Sequence, residues 1–235
     1  NGRTGMGCLM GSKNLKAVIV KGSGAVPAAL EQEAERIAKR YRELWFKGQG
    51  TTMKRQYGTL TLLYQIGESA RIRNEQDDMQ PEHFEKYDLD NFKMNFKTGQ
   101  TGCFGCPVAC TQKWEIKDGP YKGEQGKKVE YGHLGHLGPL LGVFDFSQML
   151  HLANLSDKLG LDCIQFGFNL AFAMECFQRG ILGTRQTGGL SLDWGDDRLI
   201  EKLMLQTAQR EGFGDMLAEN PQTMASCIGP DAVQY

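Results

Sequence analysis

Apolar and polar positions change rhythm several times along this chain. From Ala28 to Phe46, Leu30, Ala34, Ile37, Ala38, Tyr41, Leu44 and Trp45 fall on one stripe and the charged residues face away. That spacing predicts an amphipathic helix, ended at Gly48-Gln49-Gly50. Before it, a Gly-rich loop or short helix leads into Lys16-Ala17-Val18-Ile19-Val20-Lys21, whose β-branched core predicts a strand. Thr59 to Ile66 predicts a shorter helix. Ser69 to Gly102 is polar and aperiodic, a long excursion with helical pieces around Pro81 to Tyr87. Turn residues at Asp118-Gly119-Pro120 and Gly123 predict a hairpin of Lys113–Ile116 against Lys127–Tyr131. From Ser147 on, the pattern is helical. Ser147–Leu159 ends at Gly160, and Asp162 caps a helix to about Arg179 and Gly180. Leu190–Trp194 reads as a short strand or extended piece, Asp197–Glu211 as a helix stopped by Gly212, and Asp215–Glu219 and Gln222–Cys227 as short helices. The fold class expected is mostly α with minor β.

Composition narrows the class. The 235 residues suffice for one large or two modest domains. A net charge of −1 gives no broad electrostatic case for nucleic acid or an acidic membrane. No apolar run reaches the length of a membrane span, and no signal peptide is visible. Of the seven cysteines, three are packed like ligands, which suits a reducing cytoplasm better than a disulfide scaffold. The chain opens inside a Gly-rich motif and stops soon after a helical segment, so it reads as an internal piece of a longer protein.

The densest chemistry is Gly102-Cys103-Phe104-Gly105-Cys106-Pro107-Val108-Ala109-Cys110. A C-x2-C-x3-C run brings three thiolates toward one centre, and an iron–sulfur cluster needs such a set plus one more. Zinc or ordinary thiols are the alternatives, but no second C-x2-C or His pair stands nearby to close a zinc site.

Three weaker motifs surround it. Gly2-Arg3-Thr4-Gly5-Met6-Gly7, continuing to Gly11-Ser12-Lys13-Asn14, can bring backbone N–H groups, Arg3 and Lys13 to a phosphate, or can be a plain turn-rich segment. Asp157-Lys158-Leu159-Gly160-Leu161-Asp162-Cys163 spans a helix end and the next helix start. Its carboxylates can pair with the ring edge of a pterin or purine, or Gly160 and Asp162 can be ordinary caps. Glu130, His133 and His136 lie within seven residues and can bind metal or move protons, although Gly132 and Gly135 weaken a regular helix there.

Four of these runs, in order and spacing, resemble the aldehyde ferredoxin oxidoreductase family of tungsten–pterin enzymes. They are Gly2-Arg3-Thr4-Gly5-Met6-Gly7 through Ala17, Gly102 through Cys110, Asp157 through Asp162 running into Ala171-Phe172-Ala173-Met174-Glu175, and Gly212-Phe213-Gly214-Asp215-Met216-Leu217-Ala218-Glu219. The resemblance implies residues 1–24 as the end of an N-terminal pterin-binding β domain and 25–235 as an incomplete, mainly helical middle domain. It implies a tungsten or molybdenum bis-pterin, a magnesium bridging the pterin phosphates, and a [4Fe-4S] cluster on Cys103, Cys106 and Cys110. The fourth cluster cysteine, the second pterin loop and an active-site histidine are expected outside this piece. Arg3, Thr4 and Gly5 match the phosphate and magnesium side, and Asp157, Leu161 and Asp162 the first pterin loop, with Cys163 beside it.

The implied reaction is oxidation of an aldehyde to a carboxylic acid, with Glu130 accepting a proton and electrons leaving to ferredoxin. A homodimer and a cytoplasmic location belong to the same expectation. The His-rich run after Glu130, and Cys163, also suit the family branch holding the tungsten subunit of class II benzoyl-CoA reductase, which reduces an aromatic CoA thioester. A third reading is a non-catalytic electron-transfer module carrying only the cluster, which predicts neither tungsten nor pterin.

Overall fold

Residues 6–24, 26–62 and 71–234 are described here from a computed structural model. Mostly α with minor β is what these residues form. Helix α1 (Met6–Ser12) is followed by an extended stretch. The strand expected at Lys16–Lys21 does not form: a strand needs a ladder partner, and among the described residues none pairs with it. Ile19 and Val20 stand 93% and 85% exposed as a result.

The amphipathic helix is present as α2 (Glu31–Lys47), yet it buries no residue. On its apolar stripe, Leu30, Ile37, Tyr41, Leu44 and Trp45 are all exposed. Helix α3 (Gln49–Tyr57) follows, then a 3-10 turn at Gly58–Thr61. Of the second helix expected, Thr59–Ile66, the described part is a 3-10 turn to Thr61 followed by helical Leu62, and its end lies outside the described residues.

The polar excursion is more ordered than its pattern suggests. It holds a hairpin of β1 (Arg71–Ile72) and β2 (Asp77–Asp78), helix α4 (Pro81–Lys86), and α5 (Leu89–Asn91), which widens into a π turn at Phe92–Phe96. The hairpin is tied to the rest of the protein by Arg73 N–H to Pro139 C=O (3.1 Å) and Asn74 N–H to Leu140 C=O (3.1 Å). Asn74 Nδ2 also donates to buried Glu175 (2.6 Å), whose other oxygen pairs with Arg179 at 2.7 Å. Tertiary contacts of this kind leave no periodic trace in sequence.

Strands β3 (Lys97–Thr101), β4 (Thr111–Glu115) and β5 (Gln125–Gly126) form an antiparallel sheet in that order. The expected hairpin is there with a corrected register: Trp114 faces Gly126 and Glu115 faces Gln125, so the partner strand precedes Lys127. Trp114 sets this register. A Cβ on residue 126 would lie 2.3 Å from its ring, so only glycine fits opposite it. The cysteine run is the connection between β3 and β4.

The helical half comprises α6 (Tyr131–His136), α7 (Phe146–Leu159), α8 (Cys163–Gln178), α9 (Asp197–Gln209), α10 (Phe213–Leu217) and α11 (Pro221–Ile228). Leu190–Trp194, expected as a short strand or extended piece, makes no ladder and buries Leu192 against this half. Two apolar cores meet at α6 and α7. One gathers Leu60, Phe92, Trp114, Leu134, Met149 and Leu150, and the other Leu137, Leu152, Phe166, Leu170, Met174 and Leu203. Among the described residues no helix is long and apolar enough to cross a membrane.

Candidate active site

Seven residues singled out from the sequence line one cavity of about 510 Å³. They are Glu130, His133 and His136 with Asp157, Leu161, Asp162 and Cys163. The first three come from α6 and its N-cap, the others from the end of α7, the following loop and the first residue of α8. Two motifs some 20 residues apart in sequence thus share one wall. Packing explains why. A Cβ on Gly167 of α8 would come 2.4 Å from the His136 C=O, so the two helices touch backbone to backbone.

The α7–α8 corner is built by two local devices. Gly160 adopts φ 73°, its N–H reaches Asp157 C=O at 3.3 Å, and Leu161 N–H reaches Ser156 C=O at 3.0 Å, which ends α7 in a Schellman arrangement. Asp162 then caps α8, its Oδ1 accepting Ile164 N–H (3.0 Å) and Gln165 N–H (3.2 Å). The capping reading of Asp162 therefore holds, and the same residue borders the cavity.

Glu130 is the N-cap of α6, with extended backbone at φ −118°. Its carboxylate accepts a short hydrogen bond from the Thr59 hydroxyl. That hydroxyl accepts Tyr131 N–H at 2.9 Å. Glu130 N–H donates to His133 Nδ1 at 3.3 Å, and His133 Nε2 faces Asp157 Oδ1 at 3.5 Å. Burial alone would lower His133, but Asp157 and then Cys163 outweigh it, and the ring is pushed up to about 9. A proton on Nδ1 costs the contact from Glu130 N–H, so the amide favours the neutral ring and the acidic partners the charged one. The partners prevail, because charge interactions in a buried site exceed one long amide contact. His136 is oriented differently: its Nδ1–H donates to Gly132 C=O at 2.9 Å and its ring meets Phe168 edge-on.

Cys103 and Cys106 are exposed and Cys110 is half-buried, all three as free thiols. The loop is closed on itself. Cys106 N–H donates to Cys103 C=O at 3.0 Å, and a Cβ on Gly102 would lie 3.1 Å from Cys106 C=O. Among the described residues no three His, Cys, Asp or Glu side chains are set around a single ion. Ligands of an iron–sulfur cluster bind different irons and stand further apart than ligands of one ion, so this donor set fits a cluster in its chemistry. Burial, then Glu130, then the two neighbouring thiols raise the Cys110 thiol. Arg3, Thr4 and Gly5 lie outside the described residues.

Thr59, Lys128, Tyr131 and Ile164 also line the cavity and were not singled out from the sequence. Tyr131 and Ile164 adjoin motif residues and were within reach. Thr59 was not, since 71 residues separate it from its partner Glu130.

Comparison with known proteins bears on this geometry. A family model described as aldehyde ferredoxin oxidoreductase, domains 2 and 3, matches residues 36–235. An aliphatic sulfonate oxidoreductase, WOR-like subunit, from Pyrococcus furiosus is 36% identical over 100% of this chain and 38% of its own length. A tungsten-containing aldehyde ferredoxin oxidoreductase from the same organism is 32% identical over 97% of this chain, again 38% of its own length. The chain therefore spans well under half the length of these relatives. A solved active-site complex BamBC of benzoyl coenzyme A reductase, with 1,5-dienoyl-CoA, superposes with a TM-score of 0.75, covering 99% of this chain and 36% of that one at 20% identity. That likeness speaks for the fold alone. The chain belongs to the aldehyde ferredoxin oxidoreductase family and corresponds to an internal portion of it.

Proposed function

We propose that this chain carries the pterin-facing and cluster-bearing part of a tungsten (or molybdenum) enzyme that oxidises aldehydes to carboxylic acids and passes electrons to ferredoxin. One observation carries the reading: the acid–base residues Glu130, His133 and His136 share a cavity with the loop Asp157, Leu161, Asp162 and Cys163. The donor chemistry fits the cofactor. Carboxylates of Asp157 and Asp162 accept from the N–H edge of a pterin, and Cys103, Cys106 and Cys110 supply three cluster thiolates. Arg3, Thr4 and Gly5 would meet the pterin phosphates and the bridging magnesium. When bound, the metal–pterin centre supplies the two-electron redox chemistry. The protein's part is to place groups. Glu130, held by Thr59, accepts the proton released as water adds to the carbonyl carbon. His133 leans on Asp157, its Nε2 facing the carboxylate at 3.5 Å.

A second reading has its own support. With His133 pushed up to about 9, the ring is protonated at neutral pH and can donate a proton. That suits reduction of an aromatic CoA thioester, as in a class II benzoyl-CoA reductase. Ferredoxin as partner, a homodimer, a cytoplasmic location and the division at residue 24 complete the proposal. The electron-transfer-only reading has less support, because a cluster module needs no carboxylate-lined cavity.

The test uses the full-length protein purified without oxygen. Viologen reduction is assayed with aliphatic and aromatic aldehydes and aliphatic sulfonates, and reduction is assayed with an aromatic CoA thioester. Aldehyde turnover that falls about 10²–10⁴-fold in Glu130→Gln, with tungsten retained, supports the first reading. Thioester turnover without aldehyde turnover selects the second.

A further inference from the structure

Glu130 sits where its side chain has a choice. It is the N-cap of a short helix and projects from extended backbone. Lys128, two residues earlier, borders the same cavity. An unrestrained glutamate here would divide its time among rotamers, and a proton acceptor is effective only in the one that faces the reacting atoms.

A capping box offers the Glu130 side chain the His133 backbone N–H, and Thr59 adds the short bond that fixes it. The Thr59 hydroxyl has one proton to donate. The Tyr131 N–H, at 2.9 Å, occupies a lone pair of the oxygen, and the proton is directed at Glu130 Oε2. One side chain thus grips both the carboxylate and the first amide of the helix that follows it. The grip comes from a fixed point. Thr59 lies in the turn Gly58–Thr61, closed by Thr61 Oγ1 to Gly58 C=O at 3.1 Å. Gly58 takes φ 66°, where a Cβ would come 2.7 Å from Cys110 C=O, so the turn is pressed against the end of the cysteine run. Just before it, Tyr57 donates to Asp90 at 2.5 Å.

We propose that Thr59 is the positioning residue for Glu130: its hydroxyl locks the carboxylate in one orientation at the cavity wall. This rests on the reading of Glu130 as proton acceptor. Thr59 itself touches neither substrate nor cofactor in this role. Valine has nearly the same shape and no hydroxyl, so it isolates the hydrogen bonds. Serine keeps them.

The experiment uses full-length holoenzyme with Thr59→Val, Thr59→Ser, Glu130→Gln and the Thr59→Val/Glu130→Gln double variant. Two readouts are independent of each other. The first is amide exchange at Tyr131, which needs no turnover. Thr59→Val removes the acceptor of that N–H, so its exchange accelerates, and Thr59→Ser restores it. The second is turnover per bound tungsten. Thr59→Val is expected to lower kcat about 10–100-fold with KM little changed, a loss of the size that misplacing a reacting group produces. Thr59→Ser recovers kcat, and the double variant is no slower than Glu130→Gln. Full turnover in Thr59→Val beside a crippled Glu130→Gln overturns the proposal and leaves Glu130 standing. Full turnover in Glu130→Gln overturns the reading of Glu130 and the proposal with it. A Thr59→Val protein that loses tungsten but keeps turnover per tungsten assigns Thr59 a structural role only, and also overturns it.

Discussion

Single residues here show how local the legible signals are. Asp162 and Gly160 could be read from sequence because a cap and its partners lie within a few residues of each other. Thr59 could not, because its role exists only once residues 71 positions away fold against it. Glu124 is a second case. Burial pushes its carboxyl up, but His151 at 2.6 Å and Asn154 at 3.2 Å outweigh that and hold it below its ordinary 4.5. A carboxyl lowered in the folded state stabilises the protein above its unfolded value, and that contribution is lost as pH falls through the lowered one. The urea midpoints of the wild type and Glu124→Gln should therefore differ most above about pH 4.5 and converge below it. A gap that stays constant down to about pH 3 would show that Glu124 gains nothing from His151 in the folded protein.

At the scale of elements, periodicity located helices but not what covers them. The stripe on α2 was plain in sequence, and so were α7, α8 and α9 to within a few residues. Propensity failed where structure depends on a partner. Val18, Ile19 and Val20 favour a strand, yet no ladder reaches them among the described residues. In the full-length protein these amides should be protected from exchange by an added strand, and rapid exchange there would contradict the division at residue 24. The α6–α8 contact makes a sharper prediction. Alanine at Gly167 gains about 1 kcal/mol of helix propensity, but its Cβ would meet backbone at 2.4 Å, where nothing flexible can yield. Overpacking of that kind costs about 1–3 kcal/mol, so Gly167→Ala should lower the urea midpoint. A raised midpoint would mean that the two helices separate at little cost.

On the scale of the whole molecule, two apolar cores meet at α6 and α7, and the cavity opens beside that junction. Its chemistry is assembled from segments that are each weak evidence alone: a cap, a helix corner and a turn pressed on the cysteine run. The chain covers 38% of its relatives' length, so the opposite wall of the site is expected from the rest of the protein. We propose that this cavity faces a tungsten–pterin centre with a cluster nearby. Anomalous diffraction from crystals of anaerobic full-length protein, at the tungsten and iron edges, would locate both groups. A tungsten peak is expected beside Glu130, Asp157 and Cys163 and an iron peak at Cys103, Cys106 and Cys110. A protein loaded with tungsten whose peak lies away from this cavity, or one that binds iron and no tungsten, would contradict it.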